Sequence, residues 1–528
     1  MKIRGSTSIF ILLGIIDYSL GFNTNIAKFH AKRNEFQIAL SMAKKEDLPL
    51  ISSQLNEAMK KCQPEFIKTC KVEVGVSPNG NRLGLIATDK MKKGDVALAI
   101  PYDDQIILTP ELALDVYNGV LPTKYDGWTG DNGLLALLLL NEVAKTATNG
   151  SAGIAKPTRK ADAANLISAW IKALPSPQEM KENNMHPFLY SEDDQETLQA
   201  SSTKKVYRLL DDLEEDAAWL EERVWEADRQ KFPASAELNG ETYPCFNLEG
   251  FTWASALVAS RSVFVDGSSR LIPVMDMANH DDIGANEVVG GTMGTFGTTK
   301  GAVVKTANGK TYEKGSEFLA SYGPKSAAEY LLEHGFLPKA SRSMQTSVAE
   351  LTFEIDEEDR FRDDKLDILE FETYDNAPME PVQSFDVLGT KDAFLLESVF
   401  RRDIWEFMSL PVSEPNERAV LETIASSCSK ALAGMEGIEA PEDEDENSPQ
   451  SLCAIVRESE TKALSRTLEY VEREKEALDL KEYYQERRLK DLGLDSEWNP
   501  DESGSALGDD YDDDLSFGQT RAPGSLDW

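Results

Sequence analysis

Two strand-like blocks, 70–109 and 262–322, lie on either side of a stretch, about 110–250, whose apolar positions recur at helical spacing. That interruption limits the fold to an α+β arrangement in which short sheets and helices occupy different stretches of chain. In the first block Val72 and Val74 alternate with polar residues, Leu83-Gly-Leu-Ile-Ala87 follows, and Val96-Ala-Leu-Ala-Ile100 ends at Pro101. Pro78-Asn-Gly80 has turn composition. Helices are expected around Leu112–Val116, Leu134–Val143, Leu166–Ile171 and Val206–Leu220, with an Ala/Thr/Gly-rich linker at 146–158. The second block reads as a strand over Ser262–Val274 and another from Ala302 to Tyr322, with Thr306-Ala-Asn-Gly309 as a hairpin turn. Beyond Pro338, one alternating strand, Leu351–Ile355, precedes helical sequence to about residue 493. There Leu464, Leu468, Val471 and Leu478 form one apolar stripe.

A chain of 528 residues exceeds what one core can organise, so several domains are expected. Its 55 basic and 92 acidic residues leave a net charge of −37, which argues against a nucleic-acid partner, because phosphates must be neutralised by Lys and Arg. A basic protein substrate suits that field better. The cysteines, Cys62, Cys70, Cys245, Cys428 and Cys453, have no metal-ligand spacing, so neither a zinc site nor a disulfide framework is expected. At the amino end Lys2 and Arg4 precede the eight apolar residues Ile9–Ile16, a signal-peptide core too short to span a bilayer. Residues 22–45 are then basic in an otherwise acidic chain, which is transit-peptide composition. Residues 1–50 are therefore expected to be a targeting segment, and 496–528, with Asp509-Asp-Tyr-Asp-Asp-Asp514, a disordered acidic tail. No membrane span is expected.

The chemistry sits in two strings. Arg270-Leu-Ile-Pro-Val-Met-Asp-Met-Ala-Asn279-His280 is an apolar strand that ends on an Asn-His pair, and Ala320-Ser-Tyr322-Gly323 ends on a tyrosine. Alone, the first would be a self-capped turn and the second a packing tyrosine. Leu83-Gly-Leu-Ile-Ala87, Phe251-Thr-Trp253 leading to Ser260-Arg261-Ser-Val-Phe264, and Glu333-His334-Gly335-Phe336-Leu337-Pro338 accompany them in order. Together the five strings resemble the SET-domain protein methyltransferases, in the layout of the plant Rubisco large-subunit lysine methyltransferase group. Trp170-Ile-Lys-Ala-Leu174-Pro175 and His186-Pro-Phe-Leu-Tyr190 fit the same group.

The resemblance implies an α+β SET fold over 70–340 with a helical insert at about 110–250, and a helical substrate-binding domain over 341–495. It implies S-adenosyl-L-methionine as cofactor, no metal, and a plastid protein substrate such as Rubisco large subunit or an aldolase, modified at lysine by a monomeric enzyme. Tyr322 would be catalytic. Asn81, Leu83, Arg261, Asn279, His280 and Tyr322 would bind cofactor, and Arg261, Asp276 and His334 would meet substrate. In-line methyl transfer needs mainly alignment of two partners, which a fixed hydroxyl and a closed pocket can supply. Three departures stand out. Asn81 and Arg82 replace a Glu and a Gly, Ala327 replaces an Asn, and His334 stands where lysine methyltransferases place a second pocket tyrosine. Imidazole is a poorer face for an ammonium and repels it when protonated. A histidine target, or a catalytically silent binding module, are the alternatives. Retention of Arg261, Asn279, His280 and Tyr322 together favours the enzyme.

Overall fold

The computed structural model describes residues 47–78, 82–122, 127, 129–280, 286–293, 297–307, 309–323, 325–343, 347–354, 382–388, 414–436 and 445–478. Most of the expected targeting segment, Asn81 and the acidic tail lie outside the described residues. The chain divides into two units, 1–347 with 437–459, and 348–436 with 460–528.

In the first unit the two strand-like blocks interleave. Strands β1 (Val72–Val76), β2 (Leu83–Ala87) and β3 (Val96–Pro101) come from the first block. The intervening stretch folds into helices α1 (Gly130–Ala147), α2 (Ala161–Ala173), α3 (Lys205–Leu220) and α4 (Leu248–Arg261), with strands β4 (Ser235–Leu238) and β5 (Glu241–Pro244) between the last two. Leu134–Leu140 of α1 is buried throughout, as a helix apolar on every side must be. The second block gives β6 (Val263–Val265), β7 (Ser268–Arg270), β8 (Asn279–His280), β9 (Val288–Met293), β10 (Thr299–Lys305) and β11 (Glu317–Ala320). One sheet runs β1-β2-β11-β8, so β2 of the first block lies between β1 and a strand over 230 residues away in sequence. A second sheet runs β3-β10-β9.

Three expectations are corrected. The strands flanking Thr306–Gly309 are not a hairpin, because β10 pairs with β3 and β9 whereas β11 pairs with β2 and β8. A turn reverses the chain but does not choose the partner. The buried faces of β10 (Ala302, Val304) and β11 (Phe318, Ala320) are answered by different sheets. Ser262–Val274 is not one strand but a hairpin, β6 with β7, reversing at Asp266 and Gly267 with φ 51° and 76°. The helical insert likewise contains the β4–β5 hairpin, which turns at Asn239 and Gly240 with φ 55° and 78°. Positive φ at both central residues is the primed turn that Asp-Gly and Asn-Gly favour.

In the second unit β12 (Val348–Glu354) pairs antiparallel with β13 (Val382–Leu388), a strand in sequence expected to be helical. Helix α5 (Glu414–Ala433) contributes Leu421, Ile424 and Cys428 to a core shared with Leu351. Leu464, Val471 and Leu478 of the expected stripe are buried in that core, and Leu468 is partly buried against it. Among the described residues no helix is long and apolar enough to cross a membrane, and no group of three potential metal ligands occurs.

Candidate active site

Strand β11 lies parallel to β8, with Leu319 opposite Asn279 and Ala320 opposite His280. Both strands end together, and Tyr322 leaves the sheet beside the Asn-His pair. Its hydroxyl donates to the Ala278 carbonyl at 2.8 Å, and its backbone N–H reaches His280 Nδ1 at 3.4 Å. The His280 ring packs 5.0 Å from that of Tyr322 and 5.1 Å from that of Tyr330, whose own hydroxyl donates to Gly323 O at 2.7 Å. Burial pushes the Tyr322 phenol above its usual range, so the hydroxyl stays protonated.

Asn279 is fixed from the sheet side. Its amide nitrogen donates to Leu83 O at 3.1 Å and to Glu317 Oε1 at 2.6 Å, and Glu317 Oε2 accepts from Ser77 Oγ at 2.6 Å. With both amide hydrogens engaged, Oδ1 is what Asn279 offers a ligand. Gly84 makes the close approach possible, since a Cβ there would lie 2.5 Å from Glu317 Oε1 and 3.0 Å from Asn279 Nδ2.

Helix α4 begins at Asn247, whose side chain accepts from the Gly250 N–H, and ends at Arg261. Arg261 Nη1 donates to Asp276 Oδ2 at 3.1 Å and to its carbonyl at 3.4 Å, while Trp170 Nε1 donates to the same Oδ2 at 3.0 Å. Asp276 is fully buried and its Oδ1 has no partner among the described residues. Burial raises its carboxyl above the ordinary range, against the pull of Arg261 and Trp170. Two residues earlier Val274 sits at φ 75° and ψ −41°. A β-branched residue at positive φ is strained, and such strain concentrates at functional turns.

His334 closes a π-helical turn, Tyr330–His334, that stops at Gly335 with φ 74°. Only glycine fits there, because a Cβ would lie 1.8 Å from the Met185 carbonyl. The His334 ring is 4.7 Å from that of Tyr322. Burial, then Lys325, holds its pKa down at about 4, so the ring is neutral at physiological pH. The repulsion expected from an imidazolium is thus absent. His186 is wholly buried; its Nδ1 accepts from Phe188 N–H at 3.2 Å and its Nε2 lies 3.1 Å from Glu333 O, with a pKa lowered by burial to about 3. Below pH ~6.5 the unfolded chain protonates both rings while the folded chain does not, down to about 4 and about 3. Stability should therefore fall with acidification across that window, by about 1.4 kcal/mol per pH unit for each ring. In His186→Phe the decline of melting temperature between pH 6.5 and 4 should be shallower; an unchanged slope would refute the assignment.

A cavity of about 870 Å³ gathers Arg261, Asp276, Ser321, Tyr322 and His334 in its walls, with Phe264 at 73% exposure beside it. Leu83, Asn279 and His280 do not line it. His280 packs against Tyr322 from the sheet, and Asn279 is held to Leu83 and Glu317.

The description "Rubisco LSMT substrate-binding" matches residues 356–478. The chain is 28% identical over 497 residues to the chloroplastic Rubisco large-subunit N-methyltransferase of Pisum sativum, covering 89% of this chain and 91% of that protein. It is 34% identical over 269 residues to the chloroplastic fructose-bisphosphate aldolase-lysine N-methyltransferase of Arabidopsis thaliana, covering 47% of this chain and 55% of that protein. The SET domain of LSMT bound to lysine and AdoHcy has the same fold, with a TM-score of 0.60 at 24% identity over 85% of this chain and 97% of that one. This chain has the SET fold and is similar to the Rubisco-LSMT type of SET-domain proteins. In this SET-domain chain several site groups had escaped sequence reasoning: Trp170 on Asp276, Glu317 on Asn279, the Ser260 carbonyl on His334, and Tyr330 on Gly323. Each acts through a contact between residues with no shared local pattern. The available signals were Trp170 and Ser260, which lie in strings that resemble the family's.

Proposed function

We propose that this chain is an S-adenosylmethionine-dependent protein-lysine N-methyltransferase acting on a plastid protein, with residues 1–50 as its address. The relatives are chloroplastic N-methyltransferases of Rubisco large subunit and of aldolase, and solved LSMT structures are bound to AdoMet, or to lysine and AdoHcy. A protein from either substrate family is the candidate target. The observation that carries the reading is the placing of Tyr322, Arg261, Asp276 and His334 around one cavity at the paired ends of β8 and β11.

The residues present fit the cofactor. Arg261 engages Asp276 through Nη1, leaving Nε and Nη2 for a carboxylate, and Asn279 Oδ1 suits an ammonium. Leu83 and His280 would add backbone groups from the sheet, while Asn81 lies outside the described residues. S-adenosylmethionine supplies a methyl on a cationic sulfur, whose methyl hydrogens are weak donors to oxygen. Tyr322, its proton spent on Ala278 O, presents lone pairs of a neutral hydroxyl and is the proposed aligning group. Asp276 Oδ1, buried without a partner among the described residues, offers an acceptor to a cationic side chain. His334, neutral, does not repel it.

The full chain, incubated with methyl-labelled cofactor and a plastid extract, should label a small set of proteins, with the label recovered as Nε-methyllysine, and the tagged chain should reside in plastids. Label in methylhistidine would move the target to histidine. No label, together with no cofactor binding by calorimetry, would leave the silent binding module standing.

A further inference from the structure

We propose that Phe264, with Leu209, forms an apolar rim on the reaction cavity that binds an apolar side chain next to the target lysine, and so selects which lysines are methylated; this rests on the lysine-methylation reading above. The argument begins with space. A cavity of about 870 Å³ is near the upper end of the range that encloses a whole drug-sized ligand, well beyond one lysine side chain. The lysine arrives as part of a protein, so its chain neighbours, about 3.3–3.6 Å apart along an extended segment, must cross the rim when its side chain enters. Groups on the rim meet those neighbours whatever the target protein is.

Two residues of the wall are large, apolar and exposed: Phe264 at 73% and Leu209 at 40%. Phe264 on β6 lies directly opposite Ser269 on β7, and Ser269 is also in the wall. The outer face of this hairpin is therefore turned to the cavity, while Val265 on the other face is buried in the core. On α3, Leu209, Asp212 and Leu213 share one helix face, and all three belong to the same wall.

A lone exposed phenylalanine is ordinary on a protein surface, but this one is held in place. Asp266 at the hairpin tip accepts from the Tyr102 hydroxyl at 2.8 Å, and the Arg270 guanidinium lies 4.2 Å over the Tyr102 ring. Gly290 of β9 leaves room for the Asp266 carboxylate, which a Cβ there would strike. A ring presented on a fixed strand loses little freedom when it is covered, which is what an anchor at an interface needs.

The charges around it decide between occupants. In the wall Arg261 is paired with Asp276 and Lys325 with Glu333, whereas Asp212 and Glu287 have no basic partner among the described residues. Such a wall repels an anionic membrane surface, the other partner an exposed ring suits, and disfavours Asp or Glu beside the lysine.

Methylation of short Gly/Ser peptides with one central lysine by the full chain tests this. With Phe or Leu next to the lysine, kcat/KM should be about 10- to 30-fold higher than with Ser there, the scale of an interface anchor. Phe264→Ala should remove most of that ratio, Phe264→Leu should keep most of it, and cofactor affinity by calorimetry should stay within a few-fold in both. A residue that only supported the fold would lower both rates together and leave the ratio alone. In a plastid extract, the lysines labelled by the wild-type chain should adjoin an apolar residue. Equal rates on the two peptides in wild type, an unchanged ratio in Phe264→Ala, or labelled lysines without an apolar neighbour would overturn the proposal. So would a dimer that Phe264→Ala dissociates, seen by light scattering, because the rim would then belong to a second copy. Label on histidine, or none on peptides and extract alike, would fail the lysine reading and take this proposal with it. If Phe264→Ala does not fold, the wild-type ratio and its decrease in Leu209→Ala decide.

Discussion

Tyr322→Phe is expected to slow methyl transfer on the order of a hundred-fold while cofactor affinity stays within a few-fold. The hydroxyl is pinned by the Ala278 carbonyl at 2.8 Å, where β8 and β11 end side by side, and its proposed role is alignment more than binding. A purely structural hydroxyl would behave differently, and the fold supplies the comparison. Tyr330 makes an equivalent bond to the Gly323 carbonyl at 2.7 Å in the same ring cluster. Tyr330→Phe should cost about 1 kcal/mol of stability, the ordinary worth of such a bond, with little effect on turnover. Single-turnover rates and calorimetry on both variants separate the roles. Equal effects in the two would reduce Tyr322 to a packing residue.

The parts of this site visible in the sequence are those with local pattern. Alternating residues marked β1, and the order of the strings brought Asn279, His280 and Tyr322 together. The run expected as one strand from Arg270 to His280 is instead a 3-10 turn at Met275–Met277 before the two-residue β8, and Tyr322 follows the end of β11. The Asn239-Gly240 and Asp266-Gly267 turns carry the same kind of local signal, but the surrounding apolar residues also suit a helical stretch or one continuous strand. What no local pattern carries is burial. The charge state of His334 turned on its being enclosed with Lys325 near, and the grip on Asn279 came from Glu317, 38 residues further along the chain. β13 was hidden for a related reason: its alternation becomes meaningful only beside β12.

Arg261→Met should lower stability by about 3–5 kcal/mol at pH 7, because it strips a buried carboxylate of its cation, and should abolish measurable cofactor binding if Arg261 holds the cofactor carboxylate as proposed. Asp276 would keep the Trp170 N–H as its remaining donor. Burial already raises its carboxyl and Arg261 opposes that rise, so the variant's folded-state pKa must climb further. A carboxyl whose folded pKa exceeds its unfolded value near 3.9 binds protons on folding, and stability is then lost as pH rises toward the folded pKa. The deficit of Arg261→Met relative to wild type should accordingly be small at pH 4, grow with pH, and level off once Asp276 ionises in the folded variant. The acid response of His186 and His334 is common to both proteins and cancels in the difference. Adding Asp276→Asn should flatten the pH dependence and recover part of the stability, since a neutral amide needs no cation. A deficit that stays constant from pH 4 to 8 would mean that Arg261 supports the fold by packing alone, and its proposed place at the cofactor carboxylate would then rest on binding data without electrostatic support.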